Sequence, residues 1–411
     1  MREALRGLTT RGRCFLSAGI AAGLSAVLLG QDDLFRVAIL VVALPLVSAA
    51  VVSRTRYRLA SQRHLEPARV PVGQEARVYI ELQNVSRLPT GLMLVEDRLP
   101  YVLGVRPRFV LDRVPPRGRR RLSYTVRSEA RGRYSLGPLT LRLSDPFGMC
   151  ELVRAFQATD VLLVTPAVVR LPSTPLGGEW AGAGESRTRS VATAGEDDVA
   201  TREYRQGDEL RRVHWRSTAR RGELMVRREE QPWESHCTVV LDTRWDAHRG
   251  EGPASSFEWA VSAAASVALH AARSGYVVAL QAVDGRMLTV PGDIEGSQAV
   301  IDALAVVQAD AAGAIPPGVR VLAPDGLLVA VLGRLSTDDA ETLLRAHRRA
   351  SSAVAVVLDV ETWRAGDAGG DTGPAALLQA AGWRVVVARA GDDLAALWPQ
   401  VARGSRVGVG R

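Results

Sequence analysis

Lysine is absent from all 411 residues, so the formal net charge of +8 is carried by arginine alone. No phosphate loop of the G-x-x-x-x-G-K-[ST] kind is present, nor a G-x-G-x-x-G following a strand-like run. The glycines of residues 181–186 (AGAGES) sit in a polar stretch with no strand before them, so they do not form one either. Cysteine is scarce: Cys14, Cys150 and Cys237 are too scattered for a disulfide framework or a zinc cluster, which agrees with a reducing cytoplasm. Basic strands interleaved with aromatics are also missing, which argues against a nucleic-acid binder. The excess arginine reads as solvated surface and membrane-facing charge.

What is present begins with two apolar runs. Residues 14–30 and 37–52 carry no charge and are separated by an acidic loop with Asp32 and Asp33. At about 1.5 Å per residue each run reaches roughly 25 Å, and a few flanking residues complete a bilayer crossing. Arg2, Arg6, Arg11 and Arg13 precede the first run, and Arg54, Arg56, Arg58 and Arg63 follow the second. The positive-inside rule then puts both ends in the cytoplasm. The expectation is a transmembrane helical hairpin over residues 1–58, with spans at about 14–30 and 35–53, in a multi-pass cell-membrane protein whose large C-terminal part is cytoplasmic.

Residues 66–167 read as short strands of a β-sandwich, with Ala76, Val78, Ile80 and Leu82 alternating onto one face. The run Ser144 to Cys150 (SDPFGMC) predicts a sharp corner in which Phe147 plugs the space between two strands. Residues 171–198, rich in Gly, Ala, Ser and Thr, predict a flexible linker. From residue 237 to 404 apolar strands alternate with helices, which predicts a parallel sheet covered on both faces, a doubly wound α/β domain.

Such domains bind ligands at the carboxyl ends of their strands. The first strand ends in Asp242-Thr243-Arg244-Trp245-Asp246, the layout of a metal-ion-dependent adhesion site in which an aspartate and two alternate hydroxyl residues hold a hard divalent cation. Here Arg244 stands where a hydroxyl would, so Asp242 and Asp246 form a degenerate site, Asp338 comes only later, and no cofactor is expected. Asp242 pairing with Arg244 or capping the following turn is the plainer expectation.

Between linker and α/β domain, residues 199–236 are dense in arginine and aromatics. Asp208, His214 and Ser217 include the residue types of a hydrolytic triad, without a nucleophile-elbow context around the serine. Tyr204 and Trp215 otherwise pack as a structural clasp, while Glu203, Asp208 and Glu223 pair with arginines.

The string REYRQGDELRRVHWRSTARRGELMVRREE resembles the signature of the bacterial domain-of-unknown-function family 58. The matching positions are Arg202, Glu203, Tyr204, Gly207, Asp208, Arg211 or Arg212, His214, Trp215, Ala219 and Arg220, with Val213 and Thr218 as departures. The resemblance implies a membrane-attached chain with a von Willebrand factor A-like domain that partners a MoxR-type AAA+ ATPase and other membrane proteins. No settled activity comes with it. A non-enzymatic interaction or scaffold protein is therefore the leading expectation. A hydrolase using Asp208, His214 and Ser217, or a metal-dependent adhesion module, are the alternatives.

Overall fold

The computed structural model describes residues 7–54, 59–87, 89–145, 147–173, 201–204, 213, 215–227, 235–283, 285–290, 293–309, 313–317, 319, 321, 326–364 and 373–403. The chain is a mixed α/β protein with two apolar N-terminal helices and several sheets. It divides into two units, Met1–Ala167 with Leu304–Val306, and Val168–Ala303 with Val307–Arg411.

The first unit opens with helices α1 (Thr10–Leu29) and α2 (Asp32–Arg54). Thr9 caps α1 by accepting the Gly12 N–H at 3.2 Å, and Gly30 ends it at φ 63°, a left-handed conformation that suits glycine. Small residues let the helices approach: a Cβ on Gly19 would meet Val42 Cγ2 at 2.6 Å, and Ala26 and Ala38 are buried. Leu24, Leu28 and Leu40 instead face outward. Thr10–Leu29 and Asp32–Ala50 are long and apolar enough to cross a bilayer.

Among the described residues ten strands follow: β1 (Leu59–Glu66), β2 (Arg69–Pro71), β3 (Glu75–Asn84), β4 (Met93–Asp97), β5 (Arg108–Leu111), β6 (Arg119–Arg127), β7 (Gly132–Leu136), β8 (Leu139–Ser144), β9 (Glu151–Ala155) and β10 (Asp160–Thr165). They form sheets in the orders β1-β3-β6, β2-β10-β7 and β5-β4-β8-β9. Ala76, Val78, Ile80 and Leu82 of β3 are buried as their alternation predicts, in one core with Met93, Val95, Leu141 and Leu162.

Two expectations are corrected in this unit. Arg63, counted among the charges after the second apolar run, is not a free surface charge, because the alternation of β1 turns it inward with Leu59 and Leu65. There its guanidinium donates to Asp97 at 2.7 Å, to Asp160 at 2.7 Å and to the Leu136 carbonyl, while Tyr124 Oη donates to Asp97 at 2.6 Å. Nor is Phe147 a plug: it is 58% exposed, and Met149 and Cys150 are the buried residues of the corner. Asp145 holds the corner by accepting the N–H groups of Phe147 and Cys150.

The second unit starts with a small antiparallel pair, β11 (Thr201–Glu203) and β12 (Met225–Arg227), with the short helix α3 (Trp215–Arg221) before β12. Of the residues expected to be linker, Leu171 is buried, and 174–200 lie outside the described residues. The main sheet contains β13 (His236–Leu241), β14 (Val277–Ala282), β15 (Met287–Val290), β16 (Leu327–Leu332), β17 (Ser352–Leu358) and β18 (Arg384–Ala388). Helices α4 (Ser256–Arg273), α5 (Ile294–Val306), α6 (Thr337–His347), α7 (Gly373–Ala380) and α8 (Leu394–Arg403) alternate with these strands.

The order is β15-β14-β13-β16-β17-β18, parallel throughout except for β15, an antiparallel edge strand absent from the sequence expectation. Every residue of β16 is buried, so both faces of the sheet are covered. Successive strands are added on one side of β13 and then, from β16 onward, on the other. The carboxyl ends of β13 and β16 therefore meet where the strand order reverses, the place at which open α/β sheets present ligand sites.

Candidate functional site

At that reversal point a buried arginine is clamped between two aspartates. Asp242 follows β13 directly and Asp339 stands in the first turn of α6; they are 0% and 2% exposed, and Arg244 is 3% exposed. Arg244 Nε donates to Asp242 Oδ1 at 2.9 Å and Nη2 to Asp242 Oδ2 at 2.8 Å, a bidentate fork. Nη1 donates to Asp339 Oδ2 at 2.9 Å, and the Arg334 and Gly313 carbonyls accept the rest. All five guanidinium N–H donors thus have partners.

The carboxylates are held from the other side by backbone. Asp242 accepts the N–H groups of Gly333 and Arg244, and Asp339 accepts those of Ile315 and Ser336. Burial by itself raises the Asp339 pKa; the N–H groups of Ile315 and Ser336 and the Arg244 charge outweigh it and hold the carboxyl below its ordinary value. Burial likewise opposes the charge on Arg244, yet Asp242 and Asp339 raise its pKa further above normal. The guanidinium is therefore a permanent internal cation.

Gly333 is required here by close approach: a Cβ would run into the Ala247 carbonyl, which accepts the Arg334 N–H at 2.8 Å. His248 braces the same turn. Its Nε2 lies 2.9 Å from the Asp242 carbonyl, which can only accept, so Nε2 carries the proton and Nδ1 accepts from Ser256 Oγ at 3.2 Å. Burial lowers the His248 pKa, in keeping with this neutral ring. Ser256 is 0% exposed and its Oγ also accepts the Arg249 N–H, so the pair is a brace with no route to a substrate.

This donor set does not fit a divalent cation. The space between Asp242 and Asp339 holds a guanidinium that a metal would have to displace, and Arg244 stands where the adhesion layout needs a hydroxyl. Asp246 stays outside the cluster; its carbonyl accepts from Arg249, and its Oδ1 is buried without a hydrogen-bond partner among the described residues. Asp338 is likewise displaced by its neighbour Asp339 as the completing carboxylate.

The signature segment is only partly described. Gly207, Asp208, Arg211, Arg212 and His214 lie outside the described residues, as does the side chain of Ser217. Arg202 pairs with Val226 in the small sheet, the exposed Glu203 pairs with Met225, and the half-buried Tyr204 donates its N–H to the Leu224 carbonyl at 2.8 Å. Val213, one of the departures from the signature, is buried and bridges to Val226. Ala219 and Arg220 are exposed. Trp215 is 69% exposed, so the expected clasp is not built on a buried Trp215.

Residues 200–361 match the family described as "Protein of unknown function DUF58". That match covers the small sheet, β13 to β16 and the whole Asp242–Arg244–Asp339 cluster, and it bears out the resemblance of the signature. The chain is also 25% identical over 264 residues to "Uncharacterized protein YeaD" of Bacillus subtilis (strain 168), covering 62% of this chain and 64% of that protein. It therefore spans somewhat less than two thirds of that relative.

Among solved structures, the CARDB domain of a Pyrococcus furiosus protein is 16% identical, covering 26% of this chain and 90% of that one, with a TM-score of 0.20. The sporulation control protein Spo0M of Bacillus subtilis is 9% identical, covering 36% and 57%, with a TM-score of 0.17. Likenesses this slight support no structural conclusion about the DUF58 region.

Proposed function

We propose that the chain is a membrane-anchored, non-enzymatic interaction or scaffold protein whose DUF58 region works as a metal-free von Willebrand factor A-like module. The observation that carries this reading is Arg244 itself, which sits with all its donors satisfied between Asp242 and Asp339 at the reversal point of the sheet. An α/β module whose ligand end is closed by its own guanidinium presents a preformed surface that needs no ion. The exposed Trp245 beside the cluster, 62% accessible, supplies an aromatic anchor of the sort that protein interfaces use.

The partner that the family resemblance suggests is a MoxR-type AAA+ ATPase, met at the cytoplasmic face by a multi-pass membrane protein. Full-length protein in detergent, mixed with a purified MoxR-type AAA+ ATPase, tests this. Retention with the ATPase in chelator-treated buffer, lost in Trp245→Ala, is expected; no retention with or without nucleotide refutes the partnership, and retention only with added divalent cation in the absence of nucleotide refutes the metal-free module.

A further inference from the structure

The corner at Asp145 and Phe147–Cys150 is joined to the helical hairpin by hydrogen bonds. Thr9 donates its N–H to the Met149 carbonyl at 2.9 Å and its Oγ1 to the Gly148 carbonyl at 2.7 Å, and the Glu151 N–H donates to the Gly7 carbonyl at 2.8 Å. Gly12 lies against the Met149 carbonyl so closely that a Cβ would collide with it. Cys150 packs on Ala49, near the far end of α2, so the corner touches both membrane-surface ends of the hairpin.

This fixes the corner at the depth of residues 7–12, just before the uncharged run from Cys14 onward. The same end of the sheets carries three exposed apolar side chains. Phe147 is 58% exposed at the corner, and Leu92 is 53% exposed one residue before β4, whose Met93 pairs with Leu143 at the corner end of β8. Val85, 54% exposed, follows Asn84, which pairs with Leu59. Leu59 in turn is five residues past Arg54 and so within roughly 18 Å of the end of α2. Arg11 and Arg13 are exposed in the first turn of α1, and the Arg11 guanidinium stands beside Gly148.

We propose that this end of the β-sheets is seated in the interfacial layer of the bilayer that holds the hairpin. Phe147, Leu92 and Val85 enter the headgroup zone, and Arg11 and Arg13 meet anionic phospholipid there. An aromatic ring and short apolar side chains favour that layer, and arginine at its edge gains from negatively charged headgroups. The inference rests on reading the two helices as membrane spans, and its test separates the two ideas.

Spin labels on Phe147→Cys and Leu92→Cys, made in full-length Cys14→Ser protein, are compared in phosphatidylcholine vesicles containing a minority of phosphatidylglycerol. Cys150 and Cys237 are buried and do not compete for label. Tyr101→Cys, 92% exposed beyond the opposite end of β4, is the aqueous control, and Leu24→Cys in mid-α1 is the membrane control. The ratio of oxygen to water-soluble nickel-chelate accessibility is expected to be severalfold higher at 147 and 92 than at 101. Equal ratios at 147, 92 and 101, with Leu24→Cys deep in lipid, overturn the seating alone. An aqueous Leu24→Cys overturns the membrane reading along with it. Glutamine at both Arg11 and Arg13 should lower the ratio at 147 in the mixed vesicles and not in phosphatidylcholine alone; no difference between the two lipids overturns the arginine role.

Discussion

At the residue scale, each unit is pinned by an arginine between two aspartates, Arg63 with Asp97 and Asp160 in one and Arg244 with Asp242 and Asp339 in the other. Truncating such a buried partner strands the opposite charges, so Arg244→Ala should cost about 3–5 kcal/mol, read as the loss of denaturant midpoint for the second unit. The pH dependence follows from the groups around it. Because burial keeps the His248 pKa below 6.5, the unfolded chain binds the proton first, and the stability contributed by the neutral ring is full above pH 6.5 and is lost as pH falls through the folded-state value. Asp339, held below 3.8, adds a second loss at lower pH by the same sign, present above 3.8 and disappearing as the carboxyl protonates. Burial lowers the His270 and His347 pKa values in the same direction, so unfolding midpoints followed downward from neutral pH should decline in these two steps, with His248→Gln reducing the first.

At the scale of elements, what could be read from the chain was what has a period. The alternation in β3 and the apolar runs of β13, β16 and β17 declare themselves because burial on one or two faces leaves a repeating pattern. The misfit of Arg244 was visible for a related reason, since the adhesion layout has fixed spacing. Its second carboxylate was not, because Asp339 lies 95 residues further along and differs from Asp338 only in helical phase. The signal that points to Asp339 is the capping box of α6, Ser336 with Asp339 three residues on, which turns that carboxylate toward the helix start. The four residues of β15 carry too little pattern to announce a strand, and a count of charges after an apolar run ignores the inward face of β1 that holds Arg63. Removing the cap with Ser336→Ala should cost about 1 kcal/mol. Adding a methyl at the tight crossing with Gly333→Ala should cost about 1–3 kcal/mol by overpacking, both read as shifts in unfolding midpoint.

At the scale of the whole molecule, the two helices long and apolar enough to cross a bilayer belong to the first unit, and the region that matches DUF58 lies almost wholly in the second. Full-length protein should stay with the membrane pellet through high salt and alkaline carbonate and leave it only in detergent, whereas a chain lacking residues 1–58 should not sediment with membranes. The second unit carries its own cation in Arg244. Thermal unfolding of the detergent-solubilised full chain, with magnesium and again with chelator, shows whether a divalent cation can take the place of this guanidinium. Superimposable transitions are the predicted result; a magnesium-dependent rise that vanishes in Asp242→Ala would contradict it.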